Sequence, residues 1–133
     1  HHRRCGSVVL DRLWFRTGVQ VVGGASKLFT ACCAWAKSQN VQEIVTWSDN
    51  RWSQGNVYPQ IGFVLDEDIL PDYSYVDLHR PYVRLSKQSQ KKSNTGCPDG
   101  ISEKEWAMQH DMARIWDCGK KRWRFDLRHG GTE

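Results

Sequence analysis

The first apolar run, "SVVLDRLWF" at residues 7–15, is rich in β-branched and aromatic side chains with partial alternation and predicts a strand. "RTGV" then supplies a loop. Over residues 25–38, Leu28, Cys32, Trp35 and Ala36 recur at spacings near 3.6 with Phe29 beside them, and Asn40 lies just beyond. That period predicts an amphipathic helix. "EIVTWS" at 43–48 gathers Ile, Val, Thr and Trp and reads as a buried strand. "DNRWSQGN" is turn chemistry, and residues 56–60 read as the remainder of a short helix that Gly62 stops. Two more strands are predicted at 63–65 and 73–78, separated by the acidic loop "DEDILPD" with Pro71 near its end.

Residues 80–100 change character to a Ser-, Gln-, Lys- and Gly-rich stretch with almost no core-forming side chains, which reads as an exposed arm. Ser102 and Glu105 form the pattern of a capping box and open a helix of about two turns carrying Trp106 and Met108. "ARIWDCGKKRWRF" then reads as a hairpin turning near Cys118 and Gly119. The order strand, helix, strand, helix, strand, strand implies an α/β layer with at least one parallel pair. The expected architecture is a small mixed sheet with flanking helices over residues 1–79, a basic arm over 80–101, and a helix and β-hairpin extension over 102–133 packed on the same core.

Length and composition bound this picture. A chain of 133 residues supports one modest core, and its seven tryptophans are many for that size. The mean hydropathy of −0.66, with no apolar run near the roughly 20 residues a bilayer needs, predicts no membrane span. The opening "HHRRCG" has no initiator methionine and reads as that of a fragment or processed product. The five cysteines form no Cys-x-x-Cys pair and are expected as reduced thiols in a cytoplasmic setting. Residues 1–79 carry 7 Lys+Arg against 8 Asp+Glu, net −1, and residues 80–133 carry 12 against 7, net +5. An anionic partner is therefore expected on the C-terminal part, unless its charge is simply a solvated tail.

Gln20, Gly23 and Ala25 in "QVVGGASKLF" fit the pattern Gln/Arg-x-x-Gly-x-Gly/Ala between a strand and a helix. Small residues there let backbone amides approach a pyrophosphate while the helix N-terminus adds partial positive charge. The same Gly23-Gly24 pair could equally be a tight turn. Together with "EIVTWSDNRWSQGNVYPQIGF", this stretch resembles the C-terminal half of the GCN5-related N-acetyltransferase (GNAT) fold, in which a central strand leads into a coenzyme A pyrophosphate loop and helix. On that resemblance Val22, Gly23, Gly24 and Ala25 would face the pyrophosphate of acetyl coenzyme A, Asn50 would match the family's asparagine, and Tyr58 its leaving-group tyrosine. The Asn50 to Tyr58 spacing is one residue longer than the usual pattern, and Pro59 follows the tyrosine directly.

A second resemblance covers nearly the whole chain. "VVGGASKLF", "SDNRWSQGNVY", "PDYSYVDL", "KQSQKKSNTGCP" and "RIWDCGKKRW", in that order, are similar to the C-terminal region of freestanding homing endonucleases of T4-like phages and cyanophages. In those proteins a nuclease domain, often similar to the very-short-patch repair endonucleases, usually lies upstream. The resemblance implies a DNA-acting, phage-encoded protein in the bacterial host cytoplasm. It implies double-stranded DNA as partner, with a homodimer or an upstream nuclease domain beside it, and Mg²⁺ for phosphodiester hydrolysis. Lys87, Lys91, Lys92, Lys120, Lys121, Arg122 and Arg124 are then candidate phosphate contacts, and Trp116 and Trp123 are either stacking platforms or core rings.

Candidate catalytic groups can be named on residue type. Asp72 and Asp77, with His79 after them, resemble part of a nuclease carboxylate pattern, although no lysine completes it. His1 and His2 with Arg3 could join Asp49 or Asn50 in activating water. Cys97, His110, Cys118 and His129 could ligate zinc, but their spacing matches no familiar finger. A non-catalytic interaction module with a tryptophan-rich surface remains a third alternative.

Overall fold

The computed structural model describes residues 6–128. In chain order the elements are β1 (Ser7–Val9), α1 (Gly24–Ser38), β2 (Glu43–Asp49), α2 (Val57–Gln60), β3 (Val64–Ile69), β4 (Tyr73–Asp77), β5 (Arg80–Leu85), a 3₁₀ turn (Gln88–Gln90), α3 (Lys92–Thr95), α4 (Glu103–Gln109), β6 (Met112–Trp116) and β7 (Lys120–Asp126). The protein is mixed α/β with two small sheets and few helices. It divides into two compact units, one made of His1–Leu70 with Gly119–Glu133 and the other of Pro71–Cys118.

The first unit carries a four-stranded sheet in the order β1-β2-β7-β3. β1 and β2 are parallel, the pair the strand-helix-strand pattern predicted, and α1 makes the crossover between them. β7 is antiparallel to both β2 and β3. Alternation along β2 buries Ile44, Thr46 and Ser48 on one face. They join Phe29 and Ala36 of α1, Tyr58 of α2, Phe63, Trp123 and Leu127 in the core. Phe29 meets Phe63 at 4.9 Å and Phe125 edge-on at 4.8 Å between ring centroids, geometry that aromatic quadrupoles favour. The two polar residues buried here are satisfied: the Thr46 hydroxyl donates to the Leu10 carbonyl at 2.8 Å, and Trp123 Nε1 donates to Ser48 Oγ at 2.9 Å.

The second unit carries a three-stranded antiparallel sheet, β5-β4-β6, with β4 central. Tyr75 and Val76 are buried there, as is Ala107 of α4. The capping box forms as expected: Glu105 N–H donates to Ser102 Oγ at 3.1 Å, and Ser102 N–H donates to Glu105 Oε2 at 3.3 Å.

Four sequence expectations are corrected. The strand expected over 7–15 leaves the sheet after Val9, apart from the Leu10 N–H bond to Val45 O, because Asp11 and Arg12 bring no apolar side chain to bury. The acidic loop from residue 66 is largely strand, since Asp66 and Glu67 of β3 lie across from Arg122 of β7 and pair with its charge. The arm over 80–101 contains β5 and α3; β5 is an edge strand held to β4 through its backbone, so its side chains stay mostly exposed and Pro81 is tolerated. The expected hairpin does not form: β6 pairs with β4, whereas β7 pairs with β2 and β3 in the other sheet. The two units meet in sequence after residues 70 and 118.

That rerouting moves the charge. The first unit holds 12 Lys+Arg against 8 Asp+Glu, net +4, and the second holds 7 against 7, net zero. The basic strand β7 belongs to the first unit.

Candidate nucleic-acid interface

In an open α/β sheet, the carboxyl ends of parallel strands form a natural crevice because the connections that follow them diverge. Here residues 10–16 follow β1 and residues 50–56 follow β2. Between them lies a cleft of about 290 Å³ whose walls include Arg12, Trp14, Trp47, Asp49, Trp52 and Tyr58. Trp14 is 72% and Trp52 76% exposed, values far from those of a core ring. The Arg51 guanidinium lies over the Trp52 ring, 4.7 Å from its centroid.

Because β7 runs antiparallel to β2, its first residues arrive at this same end, with Lys120 opposite Asp49 and Lys121 opposite Ser48. Asn50 ties the two elements: its N–H donates to Gly119 O at 3.0 Å, and Lys121 Nζ donates to Asn50 Oδ1 at 3.2 Å. One end of the first unit's sheet therefore carries Arg51, Lys120 and Lys121 together with Arg12, whose Nε lies 3.7 Å from Asp11 at the exposed surface, and the same end bears two exposed tryptophans.

The loop after β2 is shaped by its own polar groups. Asp49 Oδ1 accepts from Arg51 N–H and Ser53 Oγ from Gly55 N–H, each at 2.9 Å. Gly55, at φ +73°, lets the loop lie directly on the Trp123–Ser48 bond. Asp49 and Tyr58 thus share one cleft, but Tyr58 is a core ring, only 9% exposed and packed near Phe63 and Trp123.

The glycine turn closes on itself. Gly23 caps α1 at φ 67°, Gly24 N–H donates to Val21 O at 3.1 Å, and a Cβ on Gly24 would stand 2.8 Å from Phe15 Cζ. The amide of Gly24 that a pyrophosphate cradle would present is already used, and Gln20 and Val22 are exposed to solvent. This geometry fits the tight-turn alternative, in which glycine allows close approach, and it engages one of the four amides, that of Gly24, that an acetyl coenzyme A cradle over Val22, Gly23, Gly24 and Ala25 would use.

Asp72 and Asp77 do not converge. Asp72 precedes β4 and Asp77 is its last residue, roughly 16 Å apart at ~3.3 Å per residue. Lys87 Nζ donates to Asp72 Oδ1 at 3.1 Å and lies over Tyr73, 4.5 Å from the ring centroid. The Tyr73 backbone N–H and then Lys87 hold the Asp72 carboxyl below its usual range, and Asp72 in turn raises Lys87. At the other end, Asp77 Oδ1 accepts from the His79 backbone N–H, and the His79 ring meets Asp111 Oδ2, each at 2.9 Å. A carboxylate pair for Mg²⁺ is therefore not built from these two acids.

The His79 contact has a measurable consequence. Its hydrogen bond to Asp111, then the charges of Asp111 and Asp77, raise the imidazole above its ordinary value of 6.5. A raised folded pKa stabilises the protein when the ring is protonated; that contribution is complete below the unfolded pKa and fades as pH rises through the folded one. His79 is expected to titrate above 6.5 by NMR. Asp111→Asn should bring it down, and a wild-type titration at or below the ordinary value would contradict the contact.

The seven candidate phosphate contacts separate. Arg122 Nε lies 2.7 Å from Asp66 and its Nη2 3.3 Å from Glu67, Arg124 lies 3.9 Å from Glu43, and Lys87 is held by Asp72. Lys91, Lys92 and Lys120 have no ion pair among the described residues, and Lys121 bonds Asn50. Lys91 and Lys92 lie in the second unit, around the start of α3. Trp123 is a core ring, and Trp116 is half exposed against Tyr73. His1, His2, Arg3, Cys5 and His129 lie outside the described residues. Cys97, His110 and Cys118 do not converge: among the described residues, no three His, Cys, Asp or Glu side chains are grouped to hold a metal ion. No described helix is long and apolar enough to cross a membrane.

Arg12, Trp14, Arg51 and Trp52 were not singled out by the sequence. The available signal was a tryptophan set in turn chemistry, "NRWS", where no apolar period calls for one. No protein-family model, curated protein or solved structure matches this chain.

Proposed function

We propose that this chain is the DNA-binding or DNA-targeting part of a phage-type homing endonuclease, and that it meets duplex DNA with the basic, aromatic end of the first unit's sheet. The carrying observation is the gathering of Arg12, Arg51, Lys120 and Lys121 at the carboxyl ends of β1 and β2. Such cations bind phosphate without regard to sequence and release counterions as they do so. Lys91 and Lys92 are further phosphate contacts on the second unit, while Lys87, Arg122 and Arg124 hold their own carboxylates and contribute little. The separation of Asp72 from Asp77 supports placing phosphodiester hydrolysis in an upstream nuclease domain or another partner, together with its Mg²⁺. The parallel β1/β2 pair joined through α1 behind a glycine turn supports reading the first unit as a GNAT-like half-domain that has lost acyl transfer.

The expected result is salt-dependent binding to duplex DNA. Lys120→Gln combined with Lys121→Gln should weaken it and reduce the slope of log affinity against log salt by about 2, roughly 1 for each lost phosphate contact. An unchanged slope would remove this end of the sheet from the interface. Thermal stabilisation by coenzyme A but not by DNA would overturn the reading in favour of acyl transfer. A concentration-dependent dimer showing neither effect would favour an interaction module.

A further inference from the structure

We infer that the cleft between the loops after β1 and β2 takes a single unstacked base of the bound DNA, with Trp14 and Trp52 as its stacking platforms. The inference rests on the DNA reading above and adds what that DNA must do: present one base out of its stack.

Trp14 and Trp52 stand on separate loops and are mostly exposed, so neither is explained by the core. Trp47 and Tyr58 supply further aromatic wall behind them. A cleft of about 290 Å³ sits at the small end of ligand pockets, a size for one base with its sugar and not for a base pair. Its edges carry acceptors, the carboxylates of Asp11 and Asp49 and the hydroxyl of Ser53, with Arg12 as the one cation among the described lining residues, 3.7 Å from Asp11. Acceptors at the edge suit bases carrying an exocyclic amino group, and Arg12 beside them can meet a base carbonyl or the phosphate of the same nucleotide. Arg51, stacked on Trp52, and Lys120, opposite Asp49, lie beside the mouth, where the phosphates flanking an extruded nucleotide would pass. An aromatic cleft with a polar rim and basic flanks is complementary to base and backbone together.

The test compares two duplexes that differ only by one unpaired adenine bulge, bound to the full chain and read by fluorescence anisotropy at fixed salt. The bulged duplex should bind about tenfold more tightly, the scale of one base stacked on an aromatic side chain. Trp14→Ala and Trp52→Ala should each bring the ratio of the two affinities toward one. Both rings are exposed, so an unchanged melting temperature verifies the fold of the variants. A 2-aminopurine at the bulge should be quenched by the wild type and less by either variant. Equal affinity for both duplexes, each still salt-dependent, would overturn the base site while leaving the DNA reading standing. A preference that survives both substitutions would also overturn it. Absence of salt-dependent binding to either duplex would overturn both.

Discussion

Trp123→Ala is expected to destabilise the first unit by about 3–5 kcal/mol, the cost of truncating a large ring in a packed core. Trp123 sits mid-strand in β7, which lies between β2 and β3 and so holds the two halves of the sheet together. Its ring packs near Tyr58, and its Nε1 bonds the buried Ser48 hydroxyl at 2.9 Å. Alanine would leave a cavity and strip Ser48 of that donor. Trp123→Phe should recover part of the loss, because it refills volume while leaving Ser48 unpaired. Denaturant unfolding followed by circular dichroism measures both, and a cost under 1 kcal/mol for Trp123→Ala would show that this ring is not central to the core.

The topology explains why this strand matters and why its partners were hard to read. Local periodicity located α1, β2, α2 and the capped α4 well, since each carries its signal within a dozen residues: the Leu28/Cys32/Trp35/Ala36 face, the "EIVTWS" run, the Gly62 stop and the Ser102–Glu105 pair. Pairing between strands is not local. β6 and β7 are separated by three residues, with glycine at the end of the gap, and look like a hairpin by every short-range rule, yet their partners lie far away in sequence. β3 was expected only over 63–65 because the partner of its acidic half is the Arg122 charge of a strand 56 residues later, so those acids read as a loop. β5 was hidden because an edge strand needs only backbone bonds on one side.

The same distance rule governed the site. The carboxylates of Asp72 and Asp77 looked close in sequence, and a strand pulls them apart; Arg12, Arg51 and Lys120 are scattered in sequence, and the sheet ends bring them to one side. The charge split between chain halves was read correctly as composition. It was misplaced in space because β7 carries the basic segment back to the first unit, where Arg122 and Arg124 meet carboxylates of β2 and β3. Of the candidates on β7, Lys120 and Lys121 at the strand end are left for an anionic partner, beside Lys91 and Lys92 of the second unit.

Gly55→Ala should cost roughly 2–4 kcal/mol, a large effect for one added methyl, and should also weaken the preference for an unpaired base. Gly55 is buried at φ +73°, so any Cβ carries a backbone penalty of about 1–2 kcal/mol. That Cβ would also lie 2.7 Å from Ser48 Oγ and 2.9 Å from Trp123 Nε1, closer than atoms can pack. Neither neighbour is the loose end of a side chain: each is the partner in the other's buried hydrogen bond. Either that bond opens, at roughly 1–3 kcal/mol for an unpaired buried group, or residues 50–56 lift off the sheet. Lifting would move Trp52, which forms one wall of the cleft, away from Trp14. The two contributions separate in a double-mutant cycle. Trp123→Ala removes the contact to Nε1 and releases the Ser48 hydroxyl to rotate away from the methyl, so Gly55→Ala should then cost little beyond the backbone term, a coupling of about 1–2 kcal/mol. Strict additivity of the two substitutions would mean that the loop does not rest on the Trp123–Ser48 bond, and would detach the shape of the cleft from the core beneath it.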